Sequence, residues 1–291
     1  MKTRTEIELF LAALLIVVVC FSVVWFDLQS SRERRVVFLD VGQGDSQFIQ
    51  SGAVRILQDA GPDTRAANSL DKLLSGPDRK LAIVLITHPE TDHIGGLPEV
   101  LRRFTVDTLL IPATFQNSTS GIWQEVKQIA SDRSVRIVGV SRGDEIRAPG
   151  LQMQILWPMP RCVGSMPTNN ECALVAKTRL GDFDFLFTGD IGIKAERLIL
   201  SVSSGIELAA DVLKMPHHGS KNSILPQFFA AVSSSFAVVQ AGVNNTYGHA
   251  TPELLNRLSA YTGRLWSTAQ EGAVEVVPAD SPRGLRVRSW E

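Results

Sequence analysis

Thr87 to Gly96 reads THPETDHIGG and packs four side chains able to bind a metal, His88, Glu90, Asp92 and His93, into six positions. The segment follows an apolar run, Leu81 to Ile86, whose length and aliphatic character fit a buried strand. The strand delivers the cluster, and Gly95 and Gly96 are expected to let the backbone turn tightly before a helix starts near Leu97. A polar loop with solvated histidines would present the same letters. The placing of histidine favours the metal reading: the chain has five, in three short segments, His88 with His93, His217 with His218, and His249. Scattered surface histidines would not gather so.

Other segments extend the pattern: FLDVGQGDS at Phe38 to Ser46, QDAG at Gln58 to Gly61, NNECALV at Asn169 to Val175, FTGD at Phe187 to Asp190, LKMPHHGS at Leu213 to Ser220 and YGHATPE at Tyr247 to Glu253. Together with THPETDH they resemble the metallo-β-lactamase superfamily, whose metal motif is H-x-H-x-D-H, with Glu90 in place of the second histidine. This variant is similar to that of ComEC-type DNA-internalisation (competence) proteins. The segments run in that family's order from residue 36 to about 277. The chain departs from the pattern at Glu90, where the branch usually has Asp, and at Ala250, where it usually has Pro. Asn169 and Asn170 stand where many superfamily members offer another histidine, a departure that the ComEC branch shares.

The resemblance implies a four-layer αββα sandwich and a binuclear centre. His88 and Glu90 would hold one divalent ion, Asp92, His93 and His249 the other, and Asp190 both, with hydrolysis by metal-activated hydroxide. Two such ions lower the pKa of a shared water and clamp the attacking and leaving oxygens of a phosphodiester. A carboxylate in place of an imidazole hardens the site, so manganese or magnesium competes better with zinc. Of the adjacent pair, the resemblance sets His217 toward the metals and gives His218 a structural place behind them. Whether His217 or His249 completes the second metal's shell, leaving the other to protonate the leaving group, stays open. Asp92, His217 and His249 are the candidate catalytic residues.

Several of these positions also have plain readings. Asp190 at a strand tip before a helix is an ordinary N-cap. Asp40, Asp45 and Asp59 are either turn formers beside glycine or acceptors behind the metal ligands, where Asp59 would orient a metal-bound histidine. Asn169 is a further candidate for that outer layer. Gly42-Gln43-Gly44 lacks the third glycine of a dinucleotide-binding turn and reads as a strand connection. Lys214, Lys221, Arg102 and Arg103 flank the motifs as solvated surface charges, with Lys221 a candidate phosphate contact.

With 291 residues, 44% of them apolar, and 29 basic against 30 acidic side chains, the chain suits one sizeable domain plus an appendage. The balanced charge and a pI near 6.5 give no support to a dedicated duplex binder, so any nucleic-acid contact is local. The appendage is Leu9 to Phe26, 18 uncharged residues, close to the length that spans a bilayer as a helix. The run ends in bulky residues without a small-residue cleavage site, which favours a membrane anchor over a cleaved signal peptide. Residues 1–28 are thus the anchor of a single-pass membrane protein, 29–35 a linker, 36–278 the hydrolase domain and 279–291 a tail, flexible or at a sheet edge.

Arg32, Arg34 and Arg35 after the span slightly favour a cytoplasmic domain, whereas the resemblance implies that it faces outward, where incoming DNA is met. Cys162 and Cys172 can pair only in an oxidising compartment, and two buried thiols are the expectation. The resemblance makes DNA the expected substrate and a membrane-anchored nuclease or phosphodiesterase the expected activity. Because this chain lacks a multi-helix channel region, a separate channel protein would be the partner. The rival functions are hydrolysis of another ester, thioester or lactam bond, and a non-catalytic binding or assembly module of DNA uptake.

Overall fold

Short strands of alternating β-branched and aromatic residues, broken by glycine turns, build two sheets. The computed structural model describes residues 33–74, 76, 78–203, 205–221, 223, 225–243, 245–246, 248–250, 263–278 and 284–290. The first half runs β1 (Arg34–Phe38), β2 (Gln47–Ser51), β3 (Val54–Gln58), α1 (Arg65–Leu73), β4 (Lys80–Leu85), α2 (Thr91–Ile94), α3 (Leu97–Arg103), β5 (Thr105–Pro112), α4 (Gly121–Asp132) and β6 (Arg136–Val140). The second half runs β7 (Glu145–Ala148), β8 (Leu151–Trp157), β9 (Val175–Leu180), β10 (Phe183–Phe187), α5 (Ile193–Val202), α6 (Gly205–Leu208), β11 (Val212–Lys214), α7 (Pro226–Val232), β12 (Phe236–Val239), β13 (Arg264–Ser267), α8 (Thr268–Glu271), β14 (Ala273–Pro278) and β15 (Leu285–Trp290).

One sheet has the order β15-β14-β1-β2-β3-β4-β5-β6 and the other β13-β12-β11-β10-β9-β8-β7. Period-two alternation sends successive side chains to opposite faces. In β1, Val36 and Phe38 join the core between the sheets while Val37 faces the helix side, and in β10 Phe185 and Phe187 face inward while Leu186 faces out. Phe38 and Phe187 meet across the gap with ring centroids 6.1 Å apart. Truncating a buried ring of this kind to alanine costs about 3–5 kcal/mol. Apolar faces of the helices, such as Leu97, Val100 and Leu101 of α3 and Trp123 and Val126 of α4, cover the outer sides. The result is the expected two-sheet sandwich with helices outside.

The strand directions decide where the loops go. β3, β4, β5 and β6 are mutually parallel, as are β10, β11, β12 and β13, while the remaining pairings are antiparallel. Loops leaving the C-terminal ends of parallel strands emerge together. These are the loops that carry Asp59, the Thr87 to Gly96 cluster, Asp190, the His217-His218 pair and His249.

Several expectations change. Residues 252–258, read as a helix, and the apolar run 9–26 lie outside the described residues, among which no helix is long and apolar enough to cross a membrane. α1, β7 and β13 were not anticipated: α1 buries only Ala66, Ala67 and Leu70, and β7 and β13 are four residues each. The tail is an edge strand, β15, pairing antiparallel with β14. The expectation of two free thiols is corrected: Cys162 and Cys172 are joined as a disulfide that closes the loop between β8 and β9.

Gly95 and Gly96 also do something other than expected. Both have ordinary right-handed helical dihedrals, so no glycine-specific turn is needed there. Their requirement is space: a Cβ on Gly95 would collide with the Pro62 carbonyl, and one on Gly96 with the carbonyls of Ala60 and Asp63. Gly44 has the same reason, since the Asp92 carbonyl occupies the position of its missing Cβ and Asp45 N–H donates to that carbonyl at 3.2 Å. These glycines let the loops of Asp45, Asp59 and Asp92 press together.

Candidate metal centre

Asp92, His93, Asp190 and His218 each offer one ligand atom such that all four atoms lie within 4.8 Å of one another. His93, Asp190 and His218 are buried and Asp92 is about a third exposed, so the cluster opens to solvent on the Asp92 side. Asp190 Oδ2 is the hub. His218 Nε2 lies 3.2 Å from it, His93 Nε2 3.4 Å and His217 Nε2 3.9 Å. His218 Nε2 is also 3.3 Å from Asp92 Oδ2.

His218, His93 and His88 are each turned by a partner on Nδ1. The Gln240 carbonyl accepts from His218 Nδ1 at 2.9 Å, and since a carbonyl has no proton to give, the neutral ring keeps its lone pair on Nε2. Asp59 Oδ2 accepts from His93 Nδ1 at 2.9 Å, with the same consequence. Asp59 also accepts the Thr87 amide on Oδ1 and the Thr87 hydroxyl on Oδ2, both at 2.8 Å. With its proton committed to Asp59, Thr87 Oγ1 is left to accept from His88 Nδ1 at 3.1 Å, which frees His88 Nε2. One carboxylate therefore sets the orientation of two imidazoles.

The charges explain the titration. Burial alone would raise the carboxyl of Asp190, yet the His218 and His93 imidazoles outweigh it and hold it well below the usual carboxylate range. Burial likewise opposes ionisation of Asp92, but its hydrogen bond from His218 and the charge of His93 bring it to about 2. Burial also disfavours a charged His93 or His218. For His93 the acids Asp190 and Asp59, and for His218 the acids Asp190 and Asp45, prevail and raise both well above the ordinary imidazole value. Burial pushes His217 down.

The sequence-predicted residues divide accordingly. His88 is buried with its ring centroid 4.1 Å from that of His93, and Glu90 Oε2 stands 3.8 Å from His88 Nε2 at the exposed rim. His217 and His249 sit at the mouth with ring centroids 5.9 Å apart, outside the four-residue cluster. The structure thus brings in His218 where the resemblance favoured His217. Both adopt left-handed backbone angles, φ 50° and 53°, so the chain turns sharply and sends consecutive rings to different sides. Asp45 is buried beside His218 Nδ1, at 3.3 Å.

Asp40 is a turn former, accepting the Gly42 amide at 3.1 Å, and Asn169 is exposed at the start of the short turn Asn170–Cys172. The neighbouring Asn170 is the one at the site, its Nδ2 3.5 Å from His217 Nε2. Lys221 is exposed. Lys214, expected as a surface charge, is instead fully buried and paired with Asp45. Sequence reasoning missed Thr87 and the inward turn of His218. Thr87 had a signal, its position directly before His88; the ring direction of His218 had none.

The residues fit divalent ions. Buried atoms His88 Nε2 and His93 Nε2 have no hydrogen-bond partner in a polar cluster, and unmet groups of this kind are costly unless something binds them. Imidazole nitrogens mixed with carboxylate oxygens suit zinc or manganese. His88 Nε2 and Glu90 Oε2 face each other at 3.8 Å, and Asp92, His93 and His218 gather about Asp190.

Residues 39–243 match the model of the metallo-β-lactamase superfamily. The chain belongs to that superfamily. This metallo-β-lactamase domain is of the kind found in competence proteins: the chain is 31% identical over 265 residues to ComE operon protein 3 of Bacillus subtilis, covering 84% of this chain and 33% of that protein. It is 26% identical over 245 residues to Competence protein ComA of Neisseria gonorrhoeae, covering 84% of this chain and 32% of that one. The chain thus spans about a third of the length of these relatives. Among solved structures, Tm1679, a metal-dependent hydrolase of the β-lactamase superfamily, superposes with a TM-score of 0.56 at 18% identity, over 84% of this chain and all of Tm1679. That likeness supports the metallo-hydrolase fold.

Proposed function

We propose that this chain is a membrane-anchored, metal-dependent phosphodiesterase that cleaves DNA during uptake. The observation that carries the hydrolytic reading is the convergence of Asp92, His93, Asp190 and His218 at the ends of parallel strands, with Nε2 atoms turned inward. The DNA reading rests on the competence relatives. Two divalent ions, zinc or manganese, with magnesium a third choice, would supply an acidified water and neutralise phosphate charge. In this reading Asp190 and Asp92 hold the centre, Asp59 and Gln240 fix the rings, and His217 and His249 at the mouth face the leaving group. Asn170 steadies His217, and the exposed Lys221 is a candidate phosphate contact.

The apolar run Leu9 to Phe26 supports the anchor, and the competence relatives support a channel protein of DNA uptake as a partner. The Cys162–Cys172 disulfide favours an oxidising compartment, and hence a domain on the outer side of the membrane. The test is an assay of the purified full chain on single- and double-stranded DNA and on a chromogenic phosphodiester, with and without each ion. Cleavage should require metal and vanish in Asp92→Ala. A variant that cleaves as well as the parent would sink the reading, and cleavage of a lactam or thioester but no phosphodiester would replace it.

A further inference from the structure

Lys214 ends β11 with no exposed surface, between the acids of the centre. A buried ammonium is expensive unless its donors are all satisfied, and it has three. One goes to Asp45 Oδ2 and a second to the Gly189 carbonyl at 3.0 Å. The third faces Asp190 Oδ1, 3.6 Å away, an ion pair beyond hydrogen-bond distance with an oxygen that has no other partner. The two oxygens of Asp190 are thereby divided: every histidine contact, from His93, His217 and His218, is to Oδ2, while Oδ1 faces the ammonium.

Resting on the metal-centre reading above, we propose that Lys214 is a positioning residue, a built-in cation that reserves Oδ1 of Asp190 and leaves Oδ2 as its single oxygen for both metal ions. The reason is geometric and electrostatic. A carboxylate free to rotate would clasp one ion with both oxygens and withdraw from the other. An ammonium held by Asp45 and the Gly189 carbonyl 3.6 Å from one oxygen attracts that oxygen and opposes the rotation. Its pairing with Asp45 holds it in place from the opposite sheet, because Asp45 lies between β1 and β2 while Lys214 lies in β11. Five carboxylates surround the centre, Asp45, Asp59, Glu90, Asp92 and Asp190. With Lys214 present their net charge is the one that two divalent ions cancel.

The test compares the full-length parent, Asp45→Asn, and the double variant Asp45→Asn with Lys214→Gln, which removes both charges and leaves two amides able to bond each other. Manganese is titrated by calorimetry, and the spin coupling of the bound ions is read by electron paramagnetic resonance. The parent should take up two coupled ions, and Asp45→Asn, which loosens the ammonium without removing it, should weaken the second ion less than the double variant does. The double variant should keep the first ion and bind the second about tenfold or more weakly, with the coupling lost. Parental uptake and coupling in the double variant would overturn the proposal, as would equal loss in both variants, since Asp45 would then be the residue that matters.

Should the double variant fail to fold, a crystal structure of the manganese-loaded parent decides. Lys214 Nζ on Asp190 Oδ1, with Oδ2 alone on the ions, is expected, and both oxygens on one ion overturns it. A parent that takes up no ion removes the metal-centre reading itself, a result distinct from any difference among the variants.

Discussion

Asp59, whose own backbone sits at φ 55°, accepts a hydrogen bond from Nδ1 of His93 at 2.9 Å. A non-glycine residue in that region is uncommon, and here the conformation turns the carboxylate from the end of β3 back toward the Thr87 and His93 loop. Asp59→Asn keeps the shape but puts an amide where one acceptor oxygen was. Either the Thr87 amide contact on Oδ1 fails, or the Thr87 hydroxyl and His93 contacts on Oδ2 fail together. Metal affinity, measured by calorimetry, should fall by about 10–100-fold, with the fold retained in the circular dichroism spectrum. Unchanged affinity would show that His93 is oriented by other means.

His218 and His217 should separate in their effects. His218→Ala removes an Nε2 that faces both Asp190 and Asp92, so bound metal measured by elemental analysis should drop and activity should fall by roughly 100-fold or more. His217→Ala, at the mouth, should leave the metal content intact and lower turnover. The opposite pattern would restore the ranking that the resemblance suggested.

The titrating groups give a pH signature to the metal-free protein. Asp92 and Asp190 have lowered pKa values, so their contribution to stability is present above the unfolded value near 3.8 and is lost as pH falls, through about 2 for Asp92. His93 and His218 have raised values, so theirs is fully present below the unfolded value near 6.5 and is lost as pH rises through the folded one. Thermal melts in chelator should therefore peak on the acidic side of neutrality. Metal ions must displace these same protons, so their affinity should climb with pH. A chelator curve without a maximum below neutrality would contradict the first expectation, and melts with and without manganese that run parallel across the range would contradict the second.

Reducing the Cys162–Cys172 disulfide should destabilise the domain by about 2–4 kcal/mol, read as a shift of the urea midpoint. The bond also holds the turn that carries Asn170, whose amide meets His217. Reduction should accordingly lower turnover more than metal content. Equal loss of both would place the disulfide's effect in the core instead.

Much of this was legible beforehand. β4 lies within a residue of the strand expected at Leu81 to Ile86 and α3 starts at the expected Leu97, because a continuous apolar run followed by turn signals leaves little choice. α1 was not legible: its buried face is only Ala66, Ala67 and Leu70, too thin to stand out from its polar neighbours. β15 alternates half-buried and exposed residues in a short arginine-rich segment, a pattern that fits an exposed tail equally well until β14 is there to pair with.

The sequence by itself determined the superfamily, the metal motif and the acids and histidines that supply the centre, since residue types and their local spacing are written along the chain. Only the tertiary structure decided which of two adjacent histidines turns inward, that Asp59 governs two rings, and that Lys214 is buried among the carboxylates. Those outcomes depend on side-chain direction and on contacts between loops far apart in the chain. Such contacts are set by the packing of two sheets, not by any neighbouring residue.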